Sequence, residues 1–238
     1  MPKIDPSVAA YVDAYVAGWA LSRRTVRPQP IQHGWHVLTA SDTEPERYVL
    51  TSGAAEDIRR VMGAMPRSGS YVKFAGNRED WLVLGDDDWE ADSYGWFMAC
   101  DLSREGREIP ARPTMGDLVT VTIEDSVARI EVGHEGEVIA SGRAGLVGEW
   151  AVPDRIHTGE AYRRRGLGLF VMRRLLALAA EAGAGRAVLN ASVDGRELYR
   201  AMGWTTVAEQ TGLTRRCDET PICLPVLPLD APTTRSGP

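Results

Sequence analysis

Apolar residues recur at three- and four-residue steps through Val8, Tyr11, Val12, Tyr15, Val16 and Trp19. That spacing lines one face of a helix and predicts an amphipathic helix over residues 6–22. Asp5-Pro6 supplies its start: a side-chain acceptor for the first free N–H groups, then a proline already set at helical φ. "RPQPIQHG" ends it. The runs "WHVLTA" and "RYVLTS" then read as strands, "AAEDIRRVMGAM" as a helix and "SYVKFAG" as a strand. "REDWLVLG" reads as a short helix and "YGWFMACDL" as a strand. Together these make a small α+β unit over residues 1–102. "SREGREIPARPTMGD", dense in charge, Pro and Gly, follows it and places a linker at 103–116.

Beyond the linker, "LVTVTIE", "VARIEV" and "EVIASGRAGLV" alternate as strands, with "GHEG" as the hairpin turn before the last. "AVPDRIHT" is a further strand in which Pro153 suggests a bulge or an edge. Leu167, Phe170, Val171, Leu175 and Leu178 hold helical spacing up to a stop at Gly183. "RAVLNAS" reads as a strand, "DGRELYRAMG" as a short helix, and "WTTVAE" and "TGLTRR" as two closing strands. The pattern predicts a second α+β domain over 117–216. Residues 217–238 carry several prolines and no periodicity, and read as a tail.

Composition narrows the classes of function. The 238 residues carry a net charge of -6, so a nucleic-acid backbone is not the expected partner. Cys100, Cys217 and Cys223 are odd in number and lack CxxC spacing, which argues against a disulfide framework or a zinc ribbon. The N-terminal apolar stretch is too interrupted for a membrane span and no basic segment precedes it. The expectation is a soluble cytoplasmic protein with no membrane partner; a homodimer is left open.

Against that acidic average, "YRRRGLGLF" at 162–170 crowds three arginines before two glycines at the start of a helical pattern. The P-loop needs Lys-Ser or Lys-Thr after its glycine, and none follows. The dinucleotide fingerprint would need glycine at Val171 and an acidic residue near Val188 and Leu189. What remains is R-x-x-G-x-G at a strand-to-helix junction. There the unpaired N–H groups of a first helical turn, the helix dipole and the arginines all favour an anion, and glycine lets it approach. A basic solvated turn is the plainer reading of the same residues.

From "RIHTGEAYRRRGLGLFVMRRLLALAAEAG" through "LNASVDGRELYRAMGW" the chain resembles the GNAT superfamily of N-acetyltransferases. R-x-x-G-x-G opens a long helix, and L-Y-x-x-x-G-W closes the next. The resemblance covers about residues 126–216. It implies a mixed, mostly antiparallel sheet flanked by helices, with acetyl-coenzyme A as the donor and no metal. It places the pyrophosphate at Arg163, Arg164, Arg165, Gly166, Leu167 and Gly168. The pantetheine arm would pair with the strand backbone at Ile156, His157 and Thr158 as an added strand does. Where the family often has Asn, seven residues before the motif tyrosine, this chain has Ser192, with Asn190 two positions earlier. Tyr199, the motif tyrosine, is implied as proton donor to the departing sulfur; a packed core tyrosine is the alternative.

The two helices that family members carry after the first strand are absent between "LVTVTIE" and "VARIEV". The first hundred residues are the candidate replacement for this acceptor wall. Their element order echoes the second half of the GNAT fold without its R-x-x-G-x-G, which suggests a degenerate half-domain; an unrelated α+β module is the alternative. His33 and His36 in "HGWH" lack a further ligand set. "GDDDWEAD" reads as a solvated turn, and Trp81, Trp89, Trp96 and Tyr94 mainly as core.

Acetyl transfer needs a neutral amine. A lysine-like amine is neutral in roughly one molecule in 2,500 at pH 7, an α-amino group in roughly 10–15%. Candidate bases are Asp154, Glu149 and Glu160. Strict alternation puts Asp154 on one face with Ile156 and Thr158 and turns His157 to the other, so Asp154 ranks first. The expected function is acetyl transfer to the amine of a small molecule or amino acid. A non-catalytic acyl-coenzyme A sensor or scaffold and a protein N-acetyltransferase are the alternatives.

Overall fold

The computed structural model describes residues 6–39, 41–65, 70–77, 79, 88–102, 116 and 118–215. Helix α1 (Pro6–Arg23) precedes strands β1 (Gln29–Ile31), β2 (Gly34–Leu38) and β3 (Glu46–Leu50), helix α2 (Ala55–Ala64), and strands β4 (Tyr71–Ala75) and β5 (Trp89–Asp101). Strands β6 (Leu118–Glu124), β7 (Val127–His134), β8 (Glu137–Val147) and β9 (Trp150–Thr158) follow. Helix α3 (Leu167–Glu181), β10 (Arg186–Ala191), helix α4 (Val193–Ala201) and β11 (Thr205–Arg215) complete the described chain. Among the described residues the strands form one 11-stranded sheet in the order β1-β2-β3-β4-β11-β5-β10-β9-β8-β7-β6. Only β3–β4 and β9–β10 are parallel.

The boundary expected near Leu102 does not divide this sheet. β5, from the N-terminal side, is hydrogen-bonded antiparallel to both β10 and β11, and β11 in turn pairs with β4. Each half thereby covers a strand edge the other would leave open, and open edges are sites of aggregation. "WTTVAE" and "TGLTRR" belong to one continuous strand, β11. β5 begins at Trp89, so the end of the acidic run is strand and not a turn. "RPQPIQHG" contains β1 and the turn into β2, with His33 at φ 60. The Asp5 cap, nearly all of "REDWLVLG", Trp81, residues 103–115 of the linker and the tail lie outside the described residues.

α1 lies on one face of the sheet, and α2, α3 and α4 cover the other. Val8, Val12, Val16 and Trp19 bury their side chains with Val37, Val49, Phe97, Val152 and Val188, residues from both halves of the sheet. The contact with β8 and β9 is backbone-close: a β-carbon on Gly18 would stand 2.3 Å from Val152 Cγ2, and one on Gly145 would stand 2.0 Å from Gly18 O. Opposite, Phe170, Val171 and Leu175 of α3 pack on Ile130, Ile139 and Ala144. Ile58, Val61 and Met62 of α2 pack on Leu50, Val72 and Phe74. Trp89 and Trp96 are core residues, while Tyr94 is 37% exposed.

Candidate functional site

β9 and β10 pair through only Trp150–Arg186 and Ala151–Ala187. β9 then continues to Thr158 along β8, and β10 continues to Ala191 along β5. The two strands therefore part, leaving backbone N–H and C=O groups on both walls of an opening. The other parallel pair, β3–β4, stays in register from Arg47–Tyr71 to Leu50–Phe74 and offers no such opening.

Helix α3 starts at the mouth of that opening. Gly166 caps it in the left-handed region at φ 78, and the first intrahelical bond runs from Phe170 N–H to Gly166 O. The N–H groups of Gly166 to Leu169 consequently lack intrahelical acceptors and face the positive end of the helix dipole. A β-carbon on Gly166 would meet nothing within 4 Å, and one on Gly168 would meet only Thr158 Oγ1 at 3.6 Å. The space over this turn suits an oxyanion. Arg163, Arg164 and Arg165 are exposed around it. Leu167 contributes its backbone only, since its side chain is buried against β7 and β8. At the start of α2 the chemistry is reversed: Glu56 and Asp57 occupy the first turn and would repel a phosphate.

The sequence pattern of the acetyltransferase (GNAT) family matches residues 86–204, a stretch that holds the opening, the α3 start and Tyr199. The chain belongs to the GNAT family. A GCN5-related N-acetyltransferase from Kribbella flavida superposes with a TM-score of 0.62 at 17% identity, over 87% of this chain and 95% of that one. A putative GNAT acetyltransferase from Novosphingobium aromaticivorans gives 0.54 at 12%, over 87% and 97%. A tandem GNAT protein from the clavulanic acid biosynthesis pathway gives 0.51 at 12%, over 88% and 95%. No curated protein matches in sequence. The GNAT family generally uses acetyl-coenzyme A, and the residues at the α3 start fit its pyrophosphate by the free N–H groups and the room above the glycines.

Other residues singled out from the sequence divide. Tyr199, on α4, packs beside Trp204 with ring centroids 5.7 Å apart; burial pushes its phenol above the ordinary value, so it stays protonated at neutral pH. Ser192 caps α4, its Oγ accepting from Gly195 N–H at 3.2 Å, and Asn190 donates to Gln210 Oε1 at 2.9 Å. Both side chains thus have structural partners. Glu149 sits where β9 and β10 are still paired, and Glu160 is exposed in the turn after β9. Among the described residues no group of three or more His, Cys, Asp or Glu is placed to hold a metal, and no helix is long and apolar enough to cross a membrane. His36 instead bonds Glu46 at 2.9 Å and stacks on Tyr48.

Alternation along β9 fails at a bulge. Ser141 faces His157 and Arg143 faces Asp154, so Arg155 and Ile156 together oppose Gly142, and Arg155 takes φ 51. The extra residue resets the side-chain direction. Asp154 and His157 share the α1 face, whereas Ile156 packs toward α3 and Thr158 lies by Gly168. The irregularity sits at Arg155 and not at Pro153, and β9 is an interior strand.

Asp154 is held fast. Its Oδ2 accepts from Ser22 Oγ at 2.8 Å and Arg23 Nε at 2.9 Å, and its Oδ1 accepts from Arg23 Nη2 at 2.9 Å. Burial raises its pKa, but the Arg23 bonds and charge, with Ser22 and Arg143, outweigh that and leave it below the usual value. A carboxylate so engaged is a poor proton acceptor. It joins α1 to β9. No local pattern marks Ser22 and Arg23 as its partners, since they stand more than 130 residues earlier in the chain.

Two cavities flank the end of α1. The larger, about 700 Å³, is mostly apolar, lined by Val16, Ala20, Leu21, Trp35, Val127 and Val147, among others. No residue of β9, β10, α3 or α4 lines it, so it lies away from the opening. The smaller, about 470 Å³, lies on the α1 face of β7, β8 and β9 and includes His157. It adjoins the part of β9 that has left β10.

Proposed function

We infer that the protein transfers an acetyl group from acetyl-coenzyme A directly to the amine of a small molecule or amino acid. The parting of β9 from β10, with the free N-terminus of α3 at its mouth, carries this reading. In it, α3 and Arg163 to Arg165 hold the pyrophosphate, and the backbone of Ile156 to Thr158 receives the pantetheine arm as an added strand. The coenzyme would supply an activated acetyl thioester. Tyr199, kept neutral by burial, donates a proton to the departing sulfur. The amine enters from the α1 face. With Asp154 locked to Arg23, proton acceptance there falls to His157, which shares that face.

The element order β3–α2–β4–β5 parallels β9–α3–β10–α4–β11, and the two sets are arranged symmetrically about the β5–β11 pair. This arrangement, and the likeness to a tandem GNAT protein, supports reading the N-terminal part as a degenerate half whose last strand is exchanged with that of the catalytic half. The degenerate half would contribute walls and not a second coenzyme site. The test is release of free coenzyme A thiol from acetyl-coenzyme A over a panel of amines. Amine-dependent release supports the function; coenzyme binding with no transfer to any amine or peptide favours a sensor or scaffold.

A further inference from the structure

The α1 face of β7, β8 and β9 carries two cross-strand rows. Arg129, Arg143 and Asp154 stand opposite one another in the first, and Glu131, Ser141 and His157 in the second. The hollow of about 470 Å³ above them is lined by three arginines, Arg129, Arg143 and Arg155, against one acid, Glu131. Asp154 offsets the Arg143 charge only in part, because its oxygens bond Arg23 and Ser22. Arg143 donates from Nη1 to the Ser22 backbone O at 2.8 Å, a neutral acceptor. Among the described residues neither Arg129 nor Arg155 has an ion-pair partner. Burial, and next the nearby Arg155 charge, lowers the Arg143 pKa below its ordinary value. Arg155 reaches the hollow from a left-handed backbone position, which costs energy for a residue with a β-carbon. Like charges gathered in a concave, partly desolvated site favour an anion between them.

We propose that this basin binds an anionic group of the acceptor, a carboxylate or a phosphate, and so selects amines that carry a negative charge. The inference rests on the acetyl-transfer reading above. Geometry limits the distance between amine and anion. The amine must reach β9 beside Ile156 to Thr158, while Arg143 and Arg129 stand on β8 and β7, one and two strand spacings away. The amine nitrogen and its anion should therefore lie roughly 5–10 Å apart. Extended ω-amino acids and aminoalkyl phosphates meet that requirement. Arginine forks suit both anions, because two parallel N–H groups match two oxygens.

The experiment compares kcat/KM for matched pairs: γ-aminobutyrate against its amide, and O-phosphoethanolamine against ethanolamine. The wild type should prefer one or both charged members by about tenfold or more, as expected for a charge-assisted hydrogen bond. Which pair shows the larger ratio distinguishes carboxylate from phosphate. In Arg129→Ala and Arg155→Ala the ratio should fall toward one, Arg155→Lys should restore part of it, and raised salt should shrink it. Thermal unfolding of each variant confirms that the fold survives at these solvent-facing positions. Equal use of charged and neutral amines by the wild type, or a preference unchanged in both alanine variants, overturns the inference while leaving acetyl transfer standing. Transfer to no amine at all, with the coenzyme bound, defeats the acetyl-transfer reading and this inference with it.

Discussion

Asp154→Asn separates a structural carboxylate from a catalytic one. The side chain is only 10% exposed and its two oxygens accept three hydrogen bonds, two of them from Arg23, which is 30% exposed. Removing one partner of a fully buried pair costs about 3–5 kcal/mol, whereas exposed pairs contribute about 0–1 kcal/mol. Solvent reaches Arg23, and asparagine keeps one acceptor oxygen, so a loss of about 2–3 kcal/mol is expected. Urea unfolding of wild type, Asp154→Asn, Arg23→Met and the double variant measures it, and the cycle should show a coupling of about 1–2 kcal/mol. The sign with pH follows from the lowered pKa. The contribution is complete above the unfolded value near 3.9 and disappears as pH falls through the lower folded value, so the stability gap between wild type and Asp154→Asn should close in strong acid. A variant as stable as wild type whose turnover number falls by about a hundredfold would instead make Asp154 the base.

Gly168→Val should leave the fold intact, since the nearest atom to a new β-carbon is Thr158 Oγ1 at 3.6 Å. It should weaken coenzyme binding by about tenfold or more in calorimetry, because the side chain fills the space over the α3 N-terminus; unchanged affinity would move the pyrophosphate elsewhere. Residues 103–238 expressed alone should be insoluble or aggregated, because they lack β5, the strand between β10 and β11, and α1. A soluble, cooperatively unfolding, active fragment would contradict the single sheet.

Local structure on the C-terminal side was legible because it is encoded locally. The spacing of Leu167, Phe170, Val171, Leu175 and Leu178 is the buried face of α3, and the glycines before it mark the turn. α1 was legible for the same reason: Val8, Val12, Val16 and Trp19 are among the residues it buries, with Ala14 and Ala20. The order of strands was not. That β5 pairs with β10, and β4 with β11, depends on edges meeting across most of the chain, and no periodicity records it. Alternation was also misleading along β9. One residue in a left-handed conformation, Arg155, moves Asp154 to the face opposite Ile156 and Thr158, where it joins His157, and nothing in "PDRIHT" announces a bulge at that arginine. Arg129 and Arg143 read singly as the polar positions of half-buried strands. Their meaning appears only when register sets them side by side with Asp154.

In the proposed acetyl transfer Tyr199 is the proton donor. The decisive experiment is the single-turnover rate of thiol release from bound acetyl-coenzyme A, with an amine that the wild type uses, in wild type and Tyr199→Phe. The phenylalanine ring preserves the contact with Trp204, so folding and coenzyme affinity should hardly change. General acid catalysis contributes about 10²–10⁴-fold, and the variant should be slower by tens-fold or more at saturating amine, roughly the signature of a contact made only in the transition state. Equal rates in the two proteins, or no amine-dependent thiol release from the wild type, would contradict the account.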